Sequence, residues 1–534
     1  MSRVTLLASA LLASTLAVGT MLPATPAQAA TQFKWANDGD VGAMDPYTRQ
    51  ETVQLSFLLN IYEPLVRRAR DLSIEPALAV SWKQISPKVW QFKLRDGVKF
   101  QDGTPFPADD VVFSIKRIQA PSSQMRAPMG NIKEIRKVDD HTVDIETATP
   151  DPILLQELTN FMIMSKAWCI ANKAEVPAAF DASKEENFAI RNAMGTGPYK
   201  LVTREPDRRT IVEKNPLWWD DGSKLVDRVE LDVIGSAATR VAALLSGEVD
   251  MIYTVPPQDI PRLERTPNIK VLQHSELRTI FLGMDQSRNE LLKSDVKGKN
   301  PLKDVRVRRA MALGIDEDAI AKRIMRGQAH VTWEMWGPGV NGYNAKLDVR
   351  PKVDVEQAKK LLAEAGYPNG FRMTLDCPND RYVNDEAICT AIVPMLARIG
   401  LKIDLNAQTK AKHFGMIGSP NYHTSFYMLG WTPATYDAHN ALYALVGSRD
   451  GARGEINDGG YSNPKMDDLI AKIGVETDQA KRTDMINQTI KIIQDDVAYI
   501  PLHQQVIVWA VKKGVEVAQQ ADNNFPFRFI RVKQ

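Results

Sequence analysis

Along the first half of the chain, apolar and polar positions mostly alternate. From Val89 to Leu94 the apolar residues Trp90, Phe92 and Leu94 share one face, the period-two pattern of a half-buried strand. Asp96-Gly97 turns the chain into Val98–Phe100, read as a second strand. Another turn, Asp102-Gly103, leads to Asp109-Asp110, whose charges suit the first turn of a helix running to Ile118. Val143 with Ile145, Ile211 with Glu213, and Val229 with Leu231 and Val233 mark further strands, and Ser236 to Ser246 predicts a helix ended by Gly247. This half is strand-rich α+β, without repeats or low-complexity tracts.

In the second half the period lengthens. Asp354 suits the cap of a helix whose apolar positions Ala358, Leu361, Leu362 and Ala365 fall at i, i+3, i+4 and i+7, with Gly366 as the stop. Phe371, Met373 and Leu375 alternate as a strand. A helix follows from about Asp385 to Ile399, with a kink expected at Pro394, and then a strand through Leu401, Ile403 and Leu405. Strand, helix and strand at this spacing form a βαβ unit, so the two strands are expected to be parallel. Phe426 to Leu429, ending at Gly430, reads as a third and buried strand.

Ligands in open α/β sheets bind beyond the carboxyl ends of the strands, where the loops leave a crevice. Two loops leave such ends here, CPNDRYVND (377–385) and GWTPATYDAHN (430–440). If their strands are neighbours, Arg381, Tyr382 and Asn384 share one mouth with Trp431, Tyr436 and Asp437. Each has a plainer alternative: Arg381 as a surface charge, Trp431 as core, and Asp437 as the cap of a helix over Ala438–Leu445.

Composition narrows the function. The chain opens MSRVTLLASALLASTLAVGTMLPATPAQAA: one basic residue, an apolar Ala/Leu-rich run, two prolines and a small-x-small ending at Ala27-Gln28-Ala29. That is the layout of a cleavable secretory leader over 1–29, with no Cys near Ala30 to carry a lipid. The 67 Lys and Arg against 65 Asp and Glu leave no basic surplus for a nucleic-acid partner. At 534 residues the chain is too long for one core. Cys169, Cys377 and Cys389 allow at most one disulfide; Cys377 and Cys389 are either bridged, as an oxidising compartment permits, or buried free thiols. None of the seven His pairs with another at the i, i+4 spacing of a helical metal site.

PALAVSWKQISPKVWQFKLRDGVKFQDGTPFPADDVVFSIKRI (76–118) closely resembles the signature region of family-5 extracellular solute-binding proteins, the periplasmic receptors of peptide-type ABC transporters. MGTGPYKLV (194–202), ALLSGEVDM (243–251), VRRAMALGIDEDAI (307–320), AKKLLAEAGY (358–367), YSNPKMDDLI (461–470) and DDVAYIPLHQQ (495–505) follow in the family's order. The resemblance covers nearly all of the chain after the leader. It implies an α/β, two-lobed periplasmic-binding-protein fold of type II. One lobe would comprise 30–283 plus 500–534, with an extra subdomain at about 76–190, and the other 284–499. The chain would cross between them near 277–286 and 495–505. It also implies a monomer with no cofactor or catalytic residue, which delivers a small ligand, a peptide or peptide-like carboxylate, to permease subunits in the inner membrane.

In peptide-binding relatives an Arg in the loop matching PNDRYVN holds the ligand carboxylate, a role carried here by Arg381, while Trp431 matches the Gly-Trp at the rim. The sequence departs after that Trp. Dipeptide and oligopeptide receptors place an Asp about three residues on to pair the α-amino group; this chain has Thr432, Pro433 and Ala434, leaving Asp437 as a possible substitute. DVGAMDPY (40–47) resembles a cleft-facing loop of the family, making Met44 and Asp45 further candidates and Tyr62 a weaker one. Two alternatives stay open: a non-peptide ligand (nickel chelate, haem, glutathione, opine or oligosaccharide) and a secreted hydrolase. The second lacks any G-x-S-x-G, H-E-x-x-H or S-x-x-K motif with its partners.

Overall fold

The computed structural model describes residues 30–126, 129–179, 186–451 and 453–533, so the expected leader lies outside the described residues. Two long strands organise the rest. Ile269–Met284, 16 residues, pairs antiparallel with Ile500–Lys512, 13 residues. At about 3.3 Å per residue the first spans roughly 50 Å, enough to traverse two lobes. On one flank lie Phe426–Trp431, Arg372–Pro378 and Lys402–Gln408; on the other lie Met251–Tyr253, Gln32–Asn37, Arg228–Val233, Arg209–Lys214 and Tyr199–Glu205. With Ala329–Val331 added against the second long strand, one eleven-stranded sheet joins both lobes.

The βαβ unit is present as expected. Arg372–Pro378 and Lys402–Gln408 run parallel, joined by the helix Asp385–Ala397, which carries Pro394 in its last turn. The helix Val355–Glu364 starts where Asp354 accepts a hydrogen bond from the Gln357 N–H at 2.9 Å. Along Phe426–Trp431 the period is two but both faces are covered. Phe426 and Met428 join a core with Met373, Ile388 and Leu362, while Tyr427 and Leu429 join another with Phe281, Trp336 and Ile486. A strand buried on both sides needs such continuous apolar sequence.

The other lobe has its own core around Phe33, Trp35, Phe57 and Tyr62, to which the C-terminal segment returns with Phe525 and Phe527. Within it a separate four-stranded antiparallel sheet, ordered Ala79–Ser86, Val89–Leu94, Thr142–Thr147, Ile132–Asp139, is accompanied by the helix Ala108–Ile118. The expected strand at Val98–Phe100 is absent: Lys99 forms only an isolated bridge to Pro105. Turns at Gly97 and Gly103 leave too few residues between them for a ladder. The helix predicted over Ala438–Leu445 is shorter, Ala438–Ala441, and widens into a π-turn at Leu442–Val446.

Cys377 and Cys389 are bridged, tying the strand Arg372–Pro378 to the following helix, and Cys169 is free and buried. Among the described residues no helix is long and apolar enough to cross a membrane.

Candidate functional site

The two loops predicted to share a mouth do so. Phe426–Trp431 pairs with Arg372–Pro378 in parallel at Tyr427 and Asp376. Their ends are then pinned by one phenol: the Tyr382 hydroxyl accepts a hydrogen bond from the Gly430 N–H at 2.8 Å. Gly430 is required there, because a Cβ would stand 2.8 Å from the Tyr382 ring and 2.8 Å from Ile280 Cδ1. Asp385 shapes the first loop by accepting from the backbone N–H groups of Arg381 and Tyr382, each at 2.9 Å, and of Glu386. This sets Arg381, half-buried, with its guanidinium carbon 5.2 Å from the Tyr382 ring centre. Among the described residues that guanidinium has no carboxylate or hydrogen-bonding partner. Asn384 does not join it: the side chain donates to the Ile324 carbonyl at 2.9 Å and its left-handed backbone (φ 57°) starts the helix.

On the second loop, Trp431 is half-buried, paired opposite Thr279 of the crossing strand, and its indole N–H donates to Asn440 Oδ1 at 2.9 Å. Tyr436 reaches across to the first lobe. Its hydroxyl donates to Asp522, and the Arg68 guanidinium lies 4.0 Å over its ring, with Arg68 Nη2 3.4 Å from the Thr435 carbonyl. Burial pushes the Tyr436 phenol and the Asp522 carboxyl above their usual ranges. The two lobes therefore touch here. A cavity of about 60 Å³ beneath the contact is lined by Asn60, Glu63, Arg68, Trp218, Tyr436 and Asp522, among others.

Three candidates have other occupations. Asp437 is buried and its carboxylate is filled: Arg482 Nη1 and Nη2 donate at 2.6 and 2.7 Å, Asn341 Nδ2 at 2.7 Å and the His439 N–H at 2.8 Å. A carboxylate offers about four acceptor sites, so none is left for a ligand ammonium. Asp45, fully buried, holds the Arg117 guanidinium through both oxygens, Nη1 to Oδ1 at 2.8 Å. Met44 is fully buried, its carbonyl accepting from the Tyr62 hydroxyl at 3.2 Å. An acid in a loop reads alike from sequence whether it faces a cleft or an arginine 72 residues further on.

Charges that the sequence reading passed over sit at the floor between the lobes. In the long-strand pair, Ser275 stands opposite Val506 and Thr279 opposite Gln504, so Glu276, Leu277 and Arg278 bulge against Gln505 alone. Bulges re-aim side chains, often beside active sites. Glu276 Oε2 accepts from Gln505 Nε2 at 3.1 Å, and Gln505 Oε1 accepts from the Val383 N–H at 3.3 Å, linking the bulge to the loop of Arg381. Arg278 Nη1 lies 3.3 Å from Glu276 Oε1 and its guanidinium 6.0 Å from the Tyr382 ring centre. Burial raises the Glu276 pKa, partly opposed by Arg278 and Arg381. The available signal was SELRTIF: two charges two positions apart at the start of the strand's apolar half. In the same pair of strands Thr279 Oγ1 and Gln504 Nε2 are buried without hydrogen-bond partners among the described residues, as are Thr432 Oγ1 and Thr435 Oγ1 on the second loop. Among the described residues no cluster of His, Cys, Asp and Glu is arranged to hold a metal ion.

The sequence profile of bacterial extracellular solute-binding proteins, family 5 (middle), matches residues 73–453. The chain is 25% identical over 507 residues to the glutathione-binding protein GsiB of Shigella boydii serotype 4, covering 94% of each. In structure it is similar to the ABC transporter-associated periplasmic binding protein DppA of Helicobacter pylori in complex with the peptide STSA. The TM-score is 0.80 at 25% identity, over 95% of this chain and 99% of that one. The binding protein AgaA of A. tumefaciens R10, in complex with agropinic acid, superimposes with a TM-score of 0.79 at 24% identity, over 94% of this chain and 99% of the other.

Proposed function

We propose that this chain, which belongs to the bacterial extracellular solute-binding proteins of family 5, grips a peptide or peptide-like carboxylate through Arg381. The family consists of solute-binding receptors of ABC transporters, and this chain is one of them. The observation that carries the ligand class is the half-buried Arg381 guanidinium, held over Tyr382 at the carboxyl ends of two parallel strands, with no carboxylate among the described residues in an ion pair with it. A planar guanidinium fork matches a carboxylate and gains most where water is sparse. Trp431 and Tyr436 close the site above, and the unpartnered hydroxyls of Thr432 and Thr435 suit a polar, amide-bearing guest.

The lobes, 30–283 with 500–534 and 284–499, would turn about the paired strands Ile269–Met284 and Ile500–Lys512, where few residues absorb the rotation. Ligand touching both walls favours the closed arrangement, and closure shifts a pre-existing equilibrium. A permease then distinguishes loaded from empty receptor by shape, and ATP is consumed by the transporter's own subunits. In this reading the protein is exported by its 1–29 leader, works in the periplasm as a monomer and carries out no catalysis.

Native mass spectrometry of protein purified from its host should show a bound carboxylate-bearing compound. Arg381→Ala should weaken calorimetric binding of that compound by about 1.5–3 kcal/mol. A recovered ligand without a carboxylate, or an affinity indifferent to Arg381, would refute the reading.

A further inference from the structure

We propose that the molecule carries a second binding site, for a small multivalent anion, in a cavity behind the paired long strands and separate from the ligand cleft. Lys322, Arg323 and Arg326 hold the anionic groups, carboxylate or phosphoryl. The site does not depend on the peptide-like reading above.

Alternation along the crossing strands fixes where this cavity lies. Val506, Val508 and Ala510 pack on the face that carries Ile260 and Leu263, whereas Ile507 and Trp509 pack on the opposite face with Trp35 and Phe525. Gln505, which reaches Glu276 and the Val383 N–H, is in step with Ile507 and so belongs to the face of the ligand loops. Gln273 stands directly opposite Val508 and therefore points to the other face. A cavity of about 530 Å³ opens there beside Gln273. Pro257, Ile260, Pro261 and Glu264 wall it from one lobe, and Lys322, Arg323, Arg326 and Gln328 from the other.

The second wall gathers positive charge on one short segment. The chain leaves a π-turn, Ile320–Ile324, through two left-handed residues, Arg326 at φ 52° and Gly327 at φ 84°, and so brings Arg326 to the same cavity as Lys322 and Arg323. The Gln328 carbonyl accepts from the Val506 N–H at 3.3 Å, which ties this turn to the crossing strand. Among the described residues none of the three cationic side chains is in an ion pair or hydrogen bond. Like charges converging on one space repel, and an anion among them removes that cost. On the facing wall Glu264 accepts from Gln273 Nε2 at 3.3 Å. Three cations against that one acid leave the cavity two positive charges in excess. Gln328 adds an uncommitted amide: its side-chain oxygen is buried without a hydrogen-bond partner, and turned over the amide offers an N–H instead. One guanidinium suffices for a monocarboxylate, whereas three cations around a space of this size match two or three anionic groups on one small molecule. Cations that were merely solvated would bind anions without regard to the facing wall.

The test is calorimetric titration of citrate and of pyrophosphate, separately, into the full-length mature protein in low-salt, phosphate-free buffer, with acetate as the monovalent control. One of the two should bind one to one and about tenfold or more tighter than acetate, and which one it is tells carboxylate from phosphoryl preference. Lys322→Gln with Arg323→Gln and Arg326→Gln, all exposed positions, should weaken that binding about tenfold. Glu264→Gln should tighten it about threefold, the effect of one charge removed at about 7 Å in water. Arg381→Ala should leave it within about twofold, since the two sites share no residue. Binding no tighter than acetate's, or indifferent to the triple variant or to Glu264→Gln, overturns the site. Binding lost in Arg381→Ala places the anion in the ligand cleft and overturns it too, while leaving the peptide-like reading intact.

Discussion

Replacing Asp437 by Asn decides whether that residue belongs to the fold or to the ligand. The substitution keeps shape and one carbonyl oxygen, so the cap on the His439 N–H survives in kind. What disappears is the charge facing Arg482, a pair whose side chains are each 2% exposed. The guanidinium retains its contact to the Ile473 carbonyl at 3.0 Å but loses a bidentate partner. Leaving a buried charge uncompensated costs roughly 3–5 kcal/mol. For a lobe of roughly 200 residues, each kcal/mol lowers Tm by about 2–4 °C, so the variant should melt roughly 6–20 °C earlier. Scanning calorimetry reads this directly. Asp437→Asn with Arg482→Met, which removes both charges, should recover more than half of the loss. At a temperature where the single variant is folded, its binding of the host-derived ligand should stay within twofold of wild type. A variant as stable as wild type, or a folded one with tenfold weaker binding, would refute the structural role.

Three further outcomes follow from other parts of the molecule. Cys377→Ser with Cys389→Ser opens a loop of 12 residues' separation and should cost about 3 kcal/mol by chain-entropy reasoning, seen as an earlier denaturant midpoint. Tyr436→Phe removes the hydroxyl that joins the lobes at Asp522; losing a hydrogen bond to a charged group should disfavour closure by about 1.5–3 kcal/mol, and small-angle scattering of the ligand-free variant should show a larger radius of gyration than wild type. Identical profiles would exclude Tyr436 as a lobe contact in solution. Glu334, buried beside Asp348, has its pKa raised from 4.5 to about 8, mainly by desolvation. The folded chain thus holds a proton that the unfolded chain releases near pH 4.5, so this stabilisation is full below that pH and is lost as pH rises through about 8. Glu334→Gln should be on the order of 5 kcal/mol more stable relative to wild type at pH 9 than at pH 4, and parallel pH profiles would refute the assignment.

Local pattern carried the elements because neighbouring residues decide them. Asp354 caps its helix, Gly247 ends another at φ 83°, and Met373 and Leu375 alternate along a strand that is parallel to its partner as the βαβ spacing requires. The sequence reading failed where partners are remote or space is short. Val98–Phe100 has strand-like residues but is confined between two glycine turns. Asp45 and Asp437 stand in loops resembling cleft walls, yet each is claimed by an arginine, 72 and 45 residues away in sequence. Neither pairing leaves a mark in the local pattern. Arg381 and Tyr382 were legible for the opposite reason: the parallel topology fixes which strand ends are neighbours, and the phenol of Tyr382 then closes on Gly430.

The charges at the floor were hidden by the logic that made the crossing visible. The second half of the crossing strand, from Glu276 on, is buried, so its apolar residues define it and the two charges within that half look like exceptions. In the fold they are its most informative residues. The bulge at Glu276–Arg278 withdraws three residues from the ladder of the strand pair proposed as the hinge. Side chains near a pivot move least when lobes rotate, so under the proposed closure Tyr436 and Arg68, further out, would meet or part. A ligand can therefore be held first by Arg381 and the floor in the open form, with the rim contacts added on closing. That order gives closure a differential contact energy, without which binding could not shift the equilibrium. It also separates the two kinds of variant: floor substitutions should change which ligands are accepted, and rim substitutions how far the lobes close upon them.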